Sequence, residues 1–234
     1  MFRRFIGRFF GPIVLLMLLV GGDQIRIHRP DHKFRLTIAI ETPQGVRSAS
    51  GVMSVHPDRG YTKGGSTQTK GDAVFVDLGG GKNLVVLLAH RGDRGIDLDD
   101  INYVAVRAFG AAGQRAVFRQ MDKVTGSVPL VGSVMPVLAT FTDVNDPASM
   151  REVMPDAVEA MLGQGIRLKG LSVEVVRNGF WPIDFGGALG EPVTRNIVAT
   201  LPWLKQPDGA ARAVQAAGLP MPPGADARLV FARE

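Results

Sequence analysis

The chain has 234 residues, no cysteine and a formal net charge of +5. Lacking a thiol, it has no thiolate catalysis, no cysteine-bound zinc and no iron–sulfur cluster. Three of the excess charges are Arg3, Arg4 and Arg8, so the remainder carries only +2, and no Lys/Arg run interleaved with aromatics points to nucleic acid.

Those three arginines precede an apolar run from Phe9 to Val20, closed by Gly21-Gly22. A basic stretch, a short apolar stretch and small residues together form an export signal. As a helix the run covers about 18 Å, against a hydrocarbon core of about 30 Å. That length suits a cleaved signal, with Val20 and Gly22 as the small residues before a cut at Asp23. Extension from Phe5 to Gly22 approaches spanning length but takes in Arg8, so a retained single anchor stays open. Either way the arginines stay inside and the rest faces out, in the periplasm or on the inner membrane. A buried or amphipathic helix is the alternative, opposed by Leu15–Val20 being apolar on every face. The reading is therefore a leader or anchor over 1–22, a tether over 23–33, and one α+β domain over 34–234.

Phe34, Leu36, Ile38 and Ile40 alternate with Arg35, Thr37 and Glu41, which predicts a half-buried strand. Thr42-Pro43-Gln44-Gly45 suits a type I turn into a second strand, Val46–Val55. Residues 57–71 read as an exposed glycine-rich loop. Strands over Ala73–Leu78 and Leu84–Ala89 flank Gly79-Gly80-Gly81, and the unbroken apolar run Leu84–Leu88 predicts a central strand covered on both faces. Asp97 caps an expected helix over Leu98–Phe109, closed by Gly110. Further strands are predicted at Arg115–Met121, Val137–Thr142, Ile166–Val176 and Arg228–Ala232. Shorter helices are predicted from Pro155 to Leu162 (closed by Gly163), at Val193–Thr200 and at Ala210–Ala217. The Leu219–Pro223 stretch reads as a linker or a wrap-around arm. Connections too short for parallel crossovers predict an antiparallel sheet with two or three helices on one face.

Few motifs carry chemistry. Asp143, Asn145 and Asp146 cluster in one loop, but the glycine and glutamate of a calcium loop are replaced by Ala148 and Met154. Asp143 and Asp146 are the candidate acid and base of a carboxylate hydrolase or lyase; the competing reading is a turn whose side chains cap their own backbone. Asp77-Leu78-Gly79-Gly80-Gly81 is similar to the first phosphate loop of actin-like ATPases, yet Lys82-Asn83 stand where that family has hydroxyl residues. The alternatives there are a phosphate or nucleotide binder through Gly79–Gly81 and a glycine hairpin turn. His28 and His32 have ligand spacing, but Pro30 breaks the helix that would align them. No HExxH or Gly-x-Ser-x-Gly occurs, and neither metal nor cofactor is expected. Trp181 and Trp203 are the candidate exposed anchors for a partner, with buried wedges as the alternative.

Arg35 to Val55, the Asp77–Gly81 turn, and the stretch from Thr140–Pro147 to Glu191–Thr194 and Leu201–Leu204 together resemble a family of uncharacterised proteobacterial proteins with a hydrophobic N-terminus. The resemblance implies a Gram-negative origin and export, and brings no activity or catalytic residues. The function expected is a non-enzymatic envelope protein that binds another protein or a wall component, held at the inner membrane by residues 1–22 if these are retained.

Overall fold

The computed structural model describes residues 2–57, 66–93, 95–179 and 190–234. Helix α1 (Phe2–His28) leads into β1 (His32–Thr42), so the helix continues into the stretch expected to be a tether. Along α1 the apolar residues from Ile13 to Val20 are exposed, Leu18 by 68 %. Among the described residues no helix is long and apolar enough to cross a membrane.

β1 buries Phe34, Leu36, Ile38 and Ile40 completely, as their alternation predicts. It pairs antiparallel with β2 (Gly45–His56) through a hairpin, and with β11 (Arg167–Val176) through a ladder whose bulge beside Ala39 takes up Lys169. In the hairpin turn the Thr42 hydroxyl donates to the Gly45 carbonyl at 2.7 Å, and Gly45 has φ +118°, a conformation that suits glycine. β3 (Gln68–Asp72) lies beside β2, so the end of the expected 57–71 loop is a strand, with Thr69 and Asp72 buried. β8 (Ser127–Pro129) and β12 (Ala232–Arg233) complete a six-stranded sheet in the order β12-β3-β2-β1-β11-β8.

A second antiparallel sheet has the order β10-β9-β5-β4, from β4 (Val74–Gly79), β5 (Lys82–Val86), β9 (Leu138–Phe141) and β10 (Met150–Val153). Leu84 to Leu88 are all fully buried, as their unbroken apolar run predicts, and β5 lies between two neighbours. Where β5 begins, the Asn83 side chain acts as a piece of backbone: its amide donates to the Phe141 carbonyl at 2.8 Å and its carbonyl accepts the Phe141 N–H at 2.9 Å. β4 contacts β1 and β2, joining the two sheets, and one hydrophobic cluster runs from Phe34 to Phe231. The single sheet expected from the sequence is thus two main sheets and a ribbon, formed by β6 (His90–Gly92) and β7 (Gly95–Asp97).

Helices are few and short. α2 (Val104–Ala111) contacts β8 and β11, and a 3-10 turn, Asp100–Tyr103, precedes it. It ends at Gly113 (φ +78°) instead of Gly110, with the Gln114 N–H returning to the Phe109 carbonyl. α3 (Val158–Leu162) closes at Gly163 as expected; α4 (Ile197–Thr200) and α5 (Gly209–Ala216) follow. Residues 115–121 are no strand. Phe118–Lys123 is 3-10 helix, which puts Phe118 and Met121 on one side; Phe118 meets the His32 ring edge-on at 5.5 Å and Met121 is fully buried. The last predicted strand is a 3-10 turn over Ala227–Val230 followed by β12.

Candidate functional site

The proline-rich stretch is an arm. The Pro220 carbonyl accepts the Ile96 N–H at 2.9 Å, which seats the arm on β7. Gly95, at φ +144°, permits this: a Cβ there would stand 2.5 Å from the Pro220 carbonyl oxygen. Between the ribbon, the start of β3, the arm and β12 lies a cleft of about 770 Å³, within the usual range for small-molecule sites. Pro220, Met221, Pro222 and Leu229 give it an apolar wall, and Asp93, Asp97, Asp99, Asn102, Arg233 and Glu234 contribute polar groups.

Asp97, predicted to cap a helix over Leu98–Phe109, instead ends β7 and shapes one side through a turn that leads to a 3-10 helix whose N-cap position is Asp99. Asp97 Oδ1 accepts the N–H groups of Asp99 (2.7 Å) and Asp100 (3.1 Å). Arg233 stands in another wall, 7 % exposed. Its Nε donates to the Leu229 carbonyl at 2.9 Å, and its Nη2 donates to the carbonyls of Leu88 (2.9 Å) and Leu98 (2.5 Å). Burial pushes this guanidinium down to about 10, while Asp99 and Asp97 pull it the other way. Nη1 has no hydrogen-bond partner among the described residues and, unlike Thr69 Oγ1 and Asn102 Oδ1, it is not sealed from solvent. No described carboxylate forms an ion pair with Arg233.

The residues singled out from the sequence lie elsewhere. Trp203 is a correction: it is 2 % exposed, stacks edge-on against Phe231 at 5.3 Å, and donates from Nε1 to the Val144 carbonyl at 2.9 Å. A surface anchor leaves its indole on the outside; here both its apolar body and its polar handle are satisfied within the core. Trp181 lies outside the described residues. Asp143 accepts the N–H of Asn145 at 2.9 Å and Asp146 that of Ala148 at 2.9 Å, so both carboxylates cap their own loop, and neither lines the cleft. Gly79–Gly81 is the tip of the β4–β5 hairpin: all three glycines have positive φ, and Asp77 Oδ1 accepts the Gly79 N–H at 2.8 Å, which sets a carboxylate where an anion would sit. His90 is buried against the Val134 carbonyl at 3.2 Å, and burial lowers its pKa below the ordinary imidazole value. Among the described residues no group of three histidines and carboxylates is arranged to hold a metal ion.

Arg233 escaped the sequence reading because its neighbours come from distant parts of the chain. The only signals were the proline-rich arm and the Asp97 cap, both of which turn out to border the cleft. The chain matches no family model, no curated protein and no solved structure.

Proposed function

We propose that this is an exported cell-envelope protein of a Gram-negative bacterium, working as a non-enzymatic binding module whose ligand enters the cleft between the ribbon and the proline arm. The observation that carries the reading is the cleft itself, which joins an apolar wall to a buried guanidinium whose Nη1 has no partner among the described residues. Export rests on the leader: three arginines followed by apolar residues that, from Ile13 to Val20, are exposed along α1 instead of joining the core. Residues 1–22 act as a cleaved signal or as an inner-membrane anchor, with the domain in the periplasm in both cases.

Two measurements test this. The intact mass of native protein from fractionated cells supports export if the chain begins near Asp23 in the periplasm, or if all 25.1 kDa is in the inner membrane; full-length chain in the cytosol refutes it. A thermal-shift screen of a mixed small-molecule library, run on the full chain and on Gly95→Ala, tests the cleft. Compounds that stabilise the first and lose their effect on the second support it. No stabilising compound, or equal effects on both, refutes it.

A further inference from the structure

Among the described residues the cleft's opposite charges form no ion pair with each other. Arg233 gives three N–H bonds to backbone carbonyls and none to a described carboxylate. Among the described residues Asp97 commits only Oδ1, to two backbone amides, and the Asp99 side chain accepts no hydrogen bond. Both carboxylates are near enough to act on the Arg233 charge without forming an ion pair with it. A cation removed from water without a carboxylate partner is costly, and a ligand carboxylate offsets that cost with a charge-assisted hydrogen bond. A ligand ammonium does the same for Asp97 and Asp99. A plain anion would meet the carboxylates of Asp93, Asp97, Asp99 and Glu234 that also line the cleft, and a plain cation would leave Nη1 of the guanidinium unanswered. Met221, Pro222 and Leu229 line the apolar wall of the same cleft, and about 770 Å³ leaves room for a large side chain.

Resting on the reading of the cleft as a binding site, we infer that its ligand is a zwitterion of the α-amino-acid type with a large apolar side chain, its carboxylate on Arg233 Nη1 and its ammonium on Asp97 and Asp99.

Calorimetry on the full chain tests this with L-phenylalanine and its two halves: phenethylamine, which keeps the ammonium, and 3-phenylpropanoate, which keeps the carboxylate. Phenylalanine is expected to bind at least tenfold more tightly than either half, since a hydrogen bond to a charged group is worth about a factor of ten or more. Removing Arg233 would orphan three carbonyls and endanger the fold, so the variants are Asp97→Asn and Asp99→Asn, which lose charge and keep acceptors. Together they should weaken phenylalanine and phenethylamine about tenfold or more and leave 3-phenylpropanoate unweakened. The inference is overturned if a half-ligand binds as tightly as phenylalanine, if the folded chain binds no phenylalanine, or if the variants weaken all three alike. Its failure is separable from that of the cleft: stabilising compounds that lack a zwitterion and are lost in Gly95→Ala remove this inference and leave the binding site standing.

Discussion

Trp203 offers the sharpest test of the packing. Its ring lies between Phe231, edge-on at 5.3 Å, and Phe141 at 5.6 Å, and its Nε1 donates to the Val144 carbonyl. Truncating such a residue removes its transfer free energy and leaves a cavity, which for a buried tryptophan costs about 3–5 kcal/mol. Little relief is available: α5 starts against it, and a Cβ on Gly209 would fall 2.1 Å from the Trp203 carbonyl oxygen. Trp203→Ala should therefore cost about 4 kcal/mol, which at about 2–4 °C per kcal/mol for a chain of this size lowers Tm by about 8–16 °C. Trp203→Phe keeps most of the stacking but loses the indole donor, for about 1–2 kcal/mol. A double-mutant cycle with Phe231→Leu should return a coupling of about 0.5–1.5 kcal/mol. Urea denaturation followed by far-UV circular dichroism measures all three. A loss below about 1 kcal/mol for Trp203→Ala would mean that the indole lies on the surface, and would return it to the list of partner anchors.

Asn83→Ala strands the N–H and C=O of Phe141 inside the second sheet; at about 1–3 kcal/mol per orphaned group it should cost about 2–6 kcal/mol in urea, and a loss under 1 kcal/mol would show that the side chain is no part of the ladder. Gly95→Ala forces a Cβ into the Pro220 carbonyl at a positive φ, so the arm should lift and the Ile96 amide should exchange its hydrogen faster; unchanged exchange would refute the seating of the arm. For His90, burial depresses the folded pKa below 6.5, so the unfolded state binds more protons in that window: stability present above pH 6.5 is lost as pH falls through the folded value, and His90→Gln should remove that slope from urea midpoints between pH 5 and 7. Asp72 has the opposite sign. Burial raises it above 3.8, against the lowering effect of the Ile197 N–H at 3.0 Å and Arg195, so its contribution is full below that value and lost as pH rises through the folded pKa. Asp72→Asn should gain stability relative to the parent between pH 3 and 6, and a constant difference would refute the assignment.

The elements legible in the sequence were those specified within a few residues. The alternation from Phe34 to Ile40 set a strand with one buried face, the unbroken run Leu84–Leu88 set a segment with none exposed, and Gly163 marked a stop, because side-chain period and backbone permissiveness are local properties. The split into two sheets was not legible, since strand order depends on which faces meet across tens to more than a hundred residues, as β1 meets β11. Residues 115–121 follow the same logic: their apolar spacing fits a strand, but the burial of Met121 and the contact of Phe118 with His32 select 3-10 geometry. Trp203 was ambiguous in sequence and is settled by Phe141, Val144 and Phe231, none of them its chain neighbours. The domain's half-buried strands follow from the sequence alone. The cleft exists only in three dimensions, where β12 brings the Arg233 guanidinium against carbonyls more than a hundred residues away.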